Sequence, residues 1–169
     1  TLFRSIGEDT HQHRPRRQRG REPAVVDPNI EYYYFTDKCE INSNVYSIVN
    51  YNFKDIDLEN RKKARFLKCC PHLILPKHDI SIWVDSNFLP LFNDAQDLLN
   101  IIGFNNKNIM IYPHRFRKCL YEEAKIVKAH KYDAEEIVDS QMNRYRNEGF
   151  PENFGLFETA FIIRKNNEL

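Results

Sequence analysis

Residues 81–87, Ser81-Ile82-Trp83-Val84-Asp85-Ser86-Asn87, constrain this chain more than any other stretch. An apolar, β-favouring run ends abruptly in Asp-x-Asn, and the apolar-periodic segment 88–102 follows. A buried strand that stops on a carboxylate sets that carboxylate at the C-terminal edge of a sheet. Open α/β sheets bind their ligands at that edge. An oxygen ligand two residues on, Asn87, can share one hard cation with Asp85. A solvated loop Asp that caps the next segment has the same spacing. Asp-x-Asn alone does not separate the two readings.

From residue 22 onward strands and helices alternate. The aromatic run 31–35 reads as a strand ending at Thr36-Asp37, and 45–51 as a second β-rich run. Segment 58–70 has helical spacing, with Leu58, Ala64 and Leu67 among many cations, and Pro71 ends it. Segment 80–84 is a strand. Asn93 with Gln96 forms a capping box for a helix to Ile102, stopped by Gly103. Segment 108–112 is a short strand and 120–130 a helix. Asp133 with Glu136 caps a further helix to Glu148, closed by Gly149 and Pro151. Segment 159–164 is a last strand. This alternation predicts a layered α/β domain, a mainly parallel sheet flanked by helices over 31–164.

The chain has 169 residues, enough for one domain with a core. A net charge of +1 exerts no general pull toward nucleic acid. No apolar stretch approaches the ~18–20 residues of a membrane span. Cys39, Cys69, Cys70 and Cys119 show neither zinc spacing nor a disulfide framework, and read as buried free thiols. The expected location is cytoplasmic, or the Golgi lumen if a segment ahead of Thr1 carries an anchor. Residues 1–20 are unlike the rest: Arg14, Arg16, Arg17, Arg19 and Arg21 crowd a stretch poor in apolar residues. Thr1-Leu2-Phe3-Arg4-Ser5 also matches the translation of a common sequencing adapter. Residues 1–20 are therefore expected to be a disordered or foreign basic tail, and 21–169 the domain. A basic arm for nucleic acid is the other reading of the tail. Dinucleotide-binding, P-loop, nucleophile-elbow and zinc-protease motifs are absent.

Two predicted strands end on an Asp, at Asp37 and Asp85. In a parallel sheet both lie at one edge, as site residues or as simple caps. Arg61, Lys62, Lys63, Arg65 and Lys68 give one helix five cations, which suits phosphate oxygens. A solvated helix face would look the same. His114-Arg115-Phe116-Arg117 follows a strand and precedes a helix whose first turn carries Glu122 and Glu123, where the macrodipole favours acids. Gln141 and Tyr145 fall four apart on one helix face, a spacing that also suits packing and a surface hydrogen bond.

Taken in order, several pieces resemble the glycosyltransferase-like domain family of the plant turgor-regulation-defect and mucilage-related proteins. They are Tyr34-Phe35-Thr36-Asp37, Arg61-Lys62-Lys63-Ala64-Arg65-Phe66-Leu67-Lys68, Pro71-His72 and Ser81 to Asn87. They continue with His114-x-x-Arg117-x-Cys119-x-Tyr121-Glu122-Glu123-Ala124, Gln141-Met142-x-x-Tyr145, Gly149-Phe150-Pro151 and Gly155-Leu156-x-Glu158-Thr159. The resemblance implies a GT-A-like fold and transfer of a sugar from a nucleotide-sugar donor to a glycan or other acceptor. It also implies a divalent cation, Mn2+ or Mg2+, at Asp85 and Asn87, with Asn87 where the family's second Asp belongs. By the same resemblance Asp37 serves the donor base or ribose, and Arg61, Arg65 and Lys68 the donor phosphates. His114, Arg117 and Gln141 fall on the acceptor side. The family's opening strand and its C-terminal Arg-Asp-Gln segment find no counterpart, so the domain is expected to be truncated at both ends and inactive as it stands. Two alternatives remain open. One is a non-catalytic carbohydrate- or nucleotide-binding domain, which Asn87 favours. The other is a metal-dependent phosphoryl hydrolase using Asp37 and Asp85, a class that wants more clustered carboxylates.

Overall fold

The computed structural model describes residues 2–5, 22–23, 25–36, 41–50, 60–75, 78–85, 88, 94–101 and 106–166. The elements run β1 (Leu2–Ser5), β2 (Tyr32–Phe35), β3 (Ser47–Val49), α1 (Asn60–Cys69), α2 (Pro71–Ile74), β4 (Ile80–Asp85) and α3 (Ala95–Ile101). They continue with β5 (Ile109–Pro113), α4 (Leu120–Ala129), α5 (Glu135–Asn147) and β6 (Phe157–Lys165). The six strands form one sheet in the order β3-β2-β1-β4-β6-β5. The ladder from β3 through β2 and β1 to β4 is parallel, and β6 returns antiparallel beside β4. The chain is thus α/β, with the parallel core expected from its alternation.

Leu2–Ser5 departs from expectation. Placed in the basic tail by composition, it forms β1 between β2 and β4, with Ser5 level with both Phe35 and Asp85. The ladder is a backbone interaction, so an Arg-rich neighbourhood in the sequence does not prevent it. Without a strand in that slot, β2 and β4 would each expose an unpaired edge. The Arg-rich remainder of the tail lies outside the described residues.

The chain divides into two compact units, Thr1–Met110 with Ala160–Leu169, and Ile111–Thr159. In the first, β4 is buried from Ser81 to Val84, as a strand covered on both faces should be. Ile82 and Val84 point into a core with Ile30, Tyr32, Tyr34, Tyr46, Leu98 and Ile163. Leu98 brings α3 onto that face. Tyr46 meets Tyr32 edge-on at 6.0 Å and Tyr34 tilted at 5.6 Å between ring centroids. By the two-residue period, Ser81, Trp83 and Asp85 point to the opposite face. There α1 approaches through Lys68. At the entry to β2, Glu31 accepts hydrogen bonds from the Tyr33 hydroxyl at 2.8 Å and from His78 Nε2 at 2.6 Å.

The second unit is built on α4 and α5, which pack around Cys119, Tyr121, Ala124, Val138 and Met142. Helix α5 ends in a Schellman closure: Gly149 N–H reaches Arg146 O at 3.0 Å and Phe150 N–H reaches Tyr145 O at 2.8 Å. Gly149 takes φ +76°, the left-handed value this closure needs. Phe150 then packs against Tyr145, ring centroids 5.9 Å apart.

Several boundaries move from their expected places. Pro71 does end α1, but it also opens the short helix α2, where its missing N–H costs nothing. Asn93 lies outside the described residues, and Asp94 Oδ1 accepts the Asp97 N–H at 2.6 Å. Gln96 Nε2 donates to Asn100 Oδ1 at 2.8 Å. Ala134, not Asp133, precedes the first turn of α5. Of the cysteines, Cys119 is buried as expected, whereas Cys69 is exposed.

Candidate functional site

The parallel strands bring their C-terminal ends to one edge, and Asp85 is the last residue of β4 there. Strand order reverses at this point, with β2 and β3 on one side of β1 and β4 on the other. Such a reversal leaves a crevice beyond the carboxyl ends of the strands, because the connections depart in opposite directions. The side chain of Asp85 is 36% exposed, so it is accessible without lying in bulk water.

Asp85 has two strong partners. Trp83 Nε1 donates to its Oδ1 at 2.6 Å. Lys68 Nζ donates to the same Oδ1 at 3.0 Å and lies 3.4 Å from Oδ2. The ammonium also sits 5.8 Å from the centroid of the Trp83 ring. Trp83 and Asp85 share a face because they are two residues apart in a strand. Lys68 comes from the last turn of α1, where a cation also complements the helix dipole. The Phe88 N–H donates to Asp85 O at 2.9 Å.

The other expected donor-side residues divide. Arg65 is exposed on α1, three residues before Lys68. Arg61 belongs to the same helix, and its side chain lies outside the described residues, as do Asp37 and Asn87. Arg164 is half-buried on β6, and burial pulls its guanidinium below its ordinary value. It pairs with Ser81, at the opposite end of β4 from Asp85, and so takes no part in this site.

Among the described residues no group of three or more His, Cys, Asp or Glu side chains gathers to hold a metal ion. Asp85 is instead paired with a cation of the chain itself. Its carboxylate oxygens already hold an ammonium, and hard oxygen is the ligand type that Mg2+ and Mn2+ take.

The second unit gathers His114 and Arg117 into a polar cluster. His114 Nδ1 accepts the backbone N–H groups of Phe116 at 3.1 Å and Arg117 at 2.9 Å. Nε2 lies 3.0 Å from Arg117 Nη2 and 3.7 Å from Glu158 Oε1. Arg117 Nε donates to Glu123. Gln141 is engaged elsewhere, its Nε2 donating to Tyr145 OH at 3.1 Å on the exposed face of α5.

Sequence reading missed three participants. Trp83 appeared only as part of the run 81–87, and its hydrogen bond to Asp85 carried no sequence signal. Glu123 was read as a first-turn acid, and Glu158 carried no assigned role. The signal for both was present, since each falls in one of the ordered pieces quoted above.

Residues 42–166 match a family model described as TOD1/MUCI70, glycosyltransferase-like domain. That span holds Lys68, Asp85, Asn87, His114, Arg117 and Gln141, and it begins after Asp37. No curated protein and no solved structure matches the chain. Among the described residues no helix is long and apolar enough to cross a membrane.

Proposed function

Because the chain belongs to the TOD1/MUCI70 glycosyltransferase-like domain family, we propose that it transfers a sugar from a nucleotide-sugar donor to a glycan or other acceptor, on a GT-A-like scaffold. The observation that carries this reading is Asp85 at the end of β4, beside the point where strand order reverses. A strand-end carboxylate at that edge is poorly used for packing and well placed for a cation and a diphosphate.

In the proposed reaction the bond between the sugar's anomeric carbon and the β-phosphate oxygen breaks, and its electron pair leaves with the nucleoside diphosphate. An acceptor hydroxyl oxygen bonds to the anomeric carbon and gives up its proton. A divalent cation, Mn2+ or Mg2+, held by Asp85 with Asn87, would neutralise charge growing on the leaving diphosphate. Arg65 and Lys68, with Arg61, are the donor-phosphate cations of this reading, and Asp37 serves the donor base or ribose. His114, Arg117 and Gln141 are its acceptor-side groups. Arg117, braced by Glu123 and set beside His114, offers a fixed donor to acceptor oxygens.

The test uses the full-length protein with a panel of nucleotide-sugars and Mn2+, read as nucleoside diphosphate binding and as its release with and without acceptor. Asp85→Ala is expected to abolish release and to weaken metal-dependent binding of the diphosphate at least tenfold. Full activity of Asp85→Ala, or full activity in a chelator, would remove the metal-dependent transferase reading. Binding without release would favour the non-catalytic alternative.

A further inference from the structure

The polar cluster of the second unit flanks an aromatic ring that the fold leaves outside. Phe116 is 77% exposed, the highest value among the large apolar side chains described. Its backbone is nevertheless held. The N–H groups of Phe116 and Arg117 both donate to His114 Nδ1, at 3.1 and 2.9 Å, which fixes the turn that carries the ring. The turn is tied at both ends, His114 N–H donating to Leu156 O at 2.7 Å and Gly155 N–H to Lys118 O at 3.0 Å. The Arg115 guanidinium lies 5.2 Å from the Phe116 ring centroid, and the His114 ring meets it edge-on at 6.4 Å. An exposed Phe by itself needs no explanation. What sets this one apart is its company. Arg117 Nε donates to Glu123, and His114 Nε2 lies 3.0 Å from Arg117 Nη2 and 3.7 Å from Glu158 Oε1. Donors and carboxylate acceptors thus stand side by side, and all of them remain partly exposed. A phosphate offers acceptors alone and would be repelled by both carboxylates. A sugar hydroxyl donates and accepts at once, so a paired cation and carboxylate match it. The C–H face of a sugar ring is apolar and suits the negative face of an aromatic ring.

We propose that Phe116 is the stacking platform of the acceptor subsite, and that the acceptor unit bound there is an uncharged sugar. The ring takes the apolar face of the sugar, while Arg117, Glu123 and Glu158 take the hydroxyls at its rim. This rests on the reading of His114 and Arg117 as acceptor-side groups of a glycosyltransferase, and it gives that side a substrate class. Charge decides the class. Arg115 and Arg117 are balanced by Glu123 and Glu158, so the subsite exerts little net pull on an anion. A uronic acid would bring its carboxylate against the two glutamates, which selects against it. The same two carboxylates disfavour an anionic lipid surface as the occupant.

The test uses the full-length protein. Cello-, manno- and xylo-oligosaccharides are the neutral probes, oligogalacturonides the charged ones, and phosphatidylcholine vesicles containing phosphatidylserine the lipid surface. Binding is read by calorimetry, and nucleoside diphosphate release from the donor panel is read with and without the same oligosaccharides. At least one neutral probe is expected to bind more tightly than every oligogalacturonide. Phe116→Ala should weaken that binding about tenfold and raise the acceptor KM to match, whereas Phe116→Tyr should retain it. Release without acceptor and the urea midpoint should not move in Phe116→Ala, because the ring is exposed. Unchanged neutral-sugar binding in Phe116→Ala, a preference for oligogalacturonides, or binding to no oligosaccharide overturns the subsite. Vesicle binding that Phe116→Ala abolishes overturns it too. Donor turnover that persists beside any of these results leaves the transferase reading standing. Sugar binding that depends on Phe116, with no nucleoside diphosphate released from any donor, supports the subsite and overturns the transferase reading instead.

Discussion

Replacing Trp83 separates two contributions that meet in one side chain. Its ring is 3% exposed, and its Nε1 donates to Asp85 Oδ1 at 2.6 Å. A buried tryptophan removes about 150–250 Å2 from water. At about 25 cal/mol per Å2 that burial is worth roughly 4–6 kcal/mol. Trp→Ala changes in cores cost about 3–5 kcal/mol, so ~4 kcal/mol is the working figure for Trp83→Ala. Trp83→Phe keeps most of the apolar body and loses the hydrogen bond. A bond to a charged acceptor is worth about 1.5–3 kcal/mol. Asp85 keeps Lys68 and some access to water, so the lower half of that range applies, near ~2 kcal/mol. With a urea slope of about 2 kcal/mol per M, the midpoint should fall by about 2 M for Ala and about 1 M for Phe. Circular dichroism is the readout, since both variants lose the only tryptophan. A Phe variant within error of the natural chain would show that the indole N–H contributes nothing to the fold. An Ala variant within error would show that the ring is a ligand-stacking surface and not an anchor.

Two further outcomes are expected. Hydrogen bonds from His78 and then Tyr33 hold the Glu31 carboxyl below its ordinary range. The group therefore stabilises the fold above its unfolded value and loses that contribution as pH falls through the lower folded value. Glu31→Gln should flatten the fall of the urea midpoint between about pH 5 and 3; an unchanged acid limb would count against this. Gly149 has φ +76°, and an added Cβ there meets nothing within 4 Å, so Gly149→Ala tests backbone strain alone. It should cost about 1 kcal/mol by urea unfolding, and no loss at all would deny the left-handed closure of α5.

Elements that announce themselves locally were legible in the sequence. The run into Asp85 and the Gly149 stop of α5 depend on neighbours within one turn or one strand, and composition reveals those. What failed to show depends on distant partners. Lys68 reads as a phosphate cation from its helix, yet it meets a carboxylate seventeen residues away on β4. Leu2–Ser5 is too short to carry a periodic signal, and the arginines after it dominate any window that includes it. Its strand identity comes from Tyr32–Phe35 and Ile80–Asp85 on either side. The His114, Arg117, Glu123 and Glu158 cluster likewise joins residues from the ends of β5, α4 and β6, which no single-segment pattern connects.

The antiparallel return of β6 also bears on how the chain is made. Ile82 of β4 is partnered by Ile163, about eighty residues later. A ribosome adds about 5–20 residues per second, so one edge of the most buried strand waits roughly 4–16 s for its neighbour. Throughout that interval an apolar edge with free N–H and C=O groups is open to other chains. The nascent protein can pair β4 with strands already synthesised, but it cannot seal that edge until β6 has been made. Yield of folded protein therefore depends on when β6 emerges, and slow synthesis lengthens the exposure of the core formed before it.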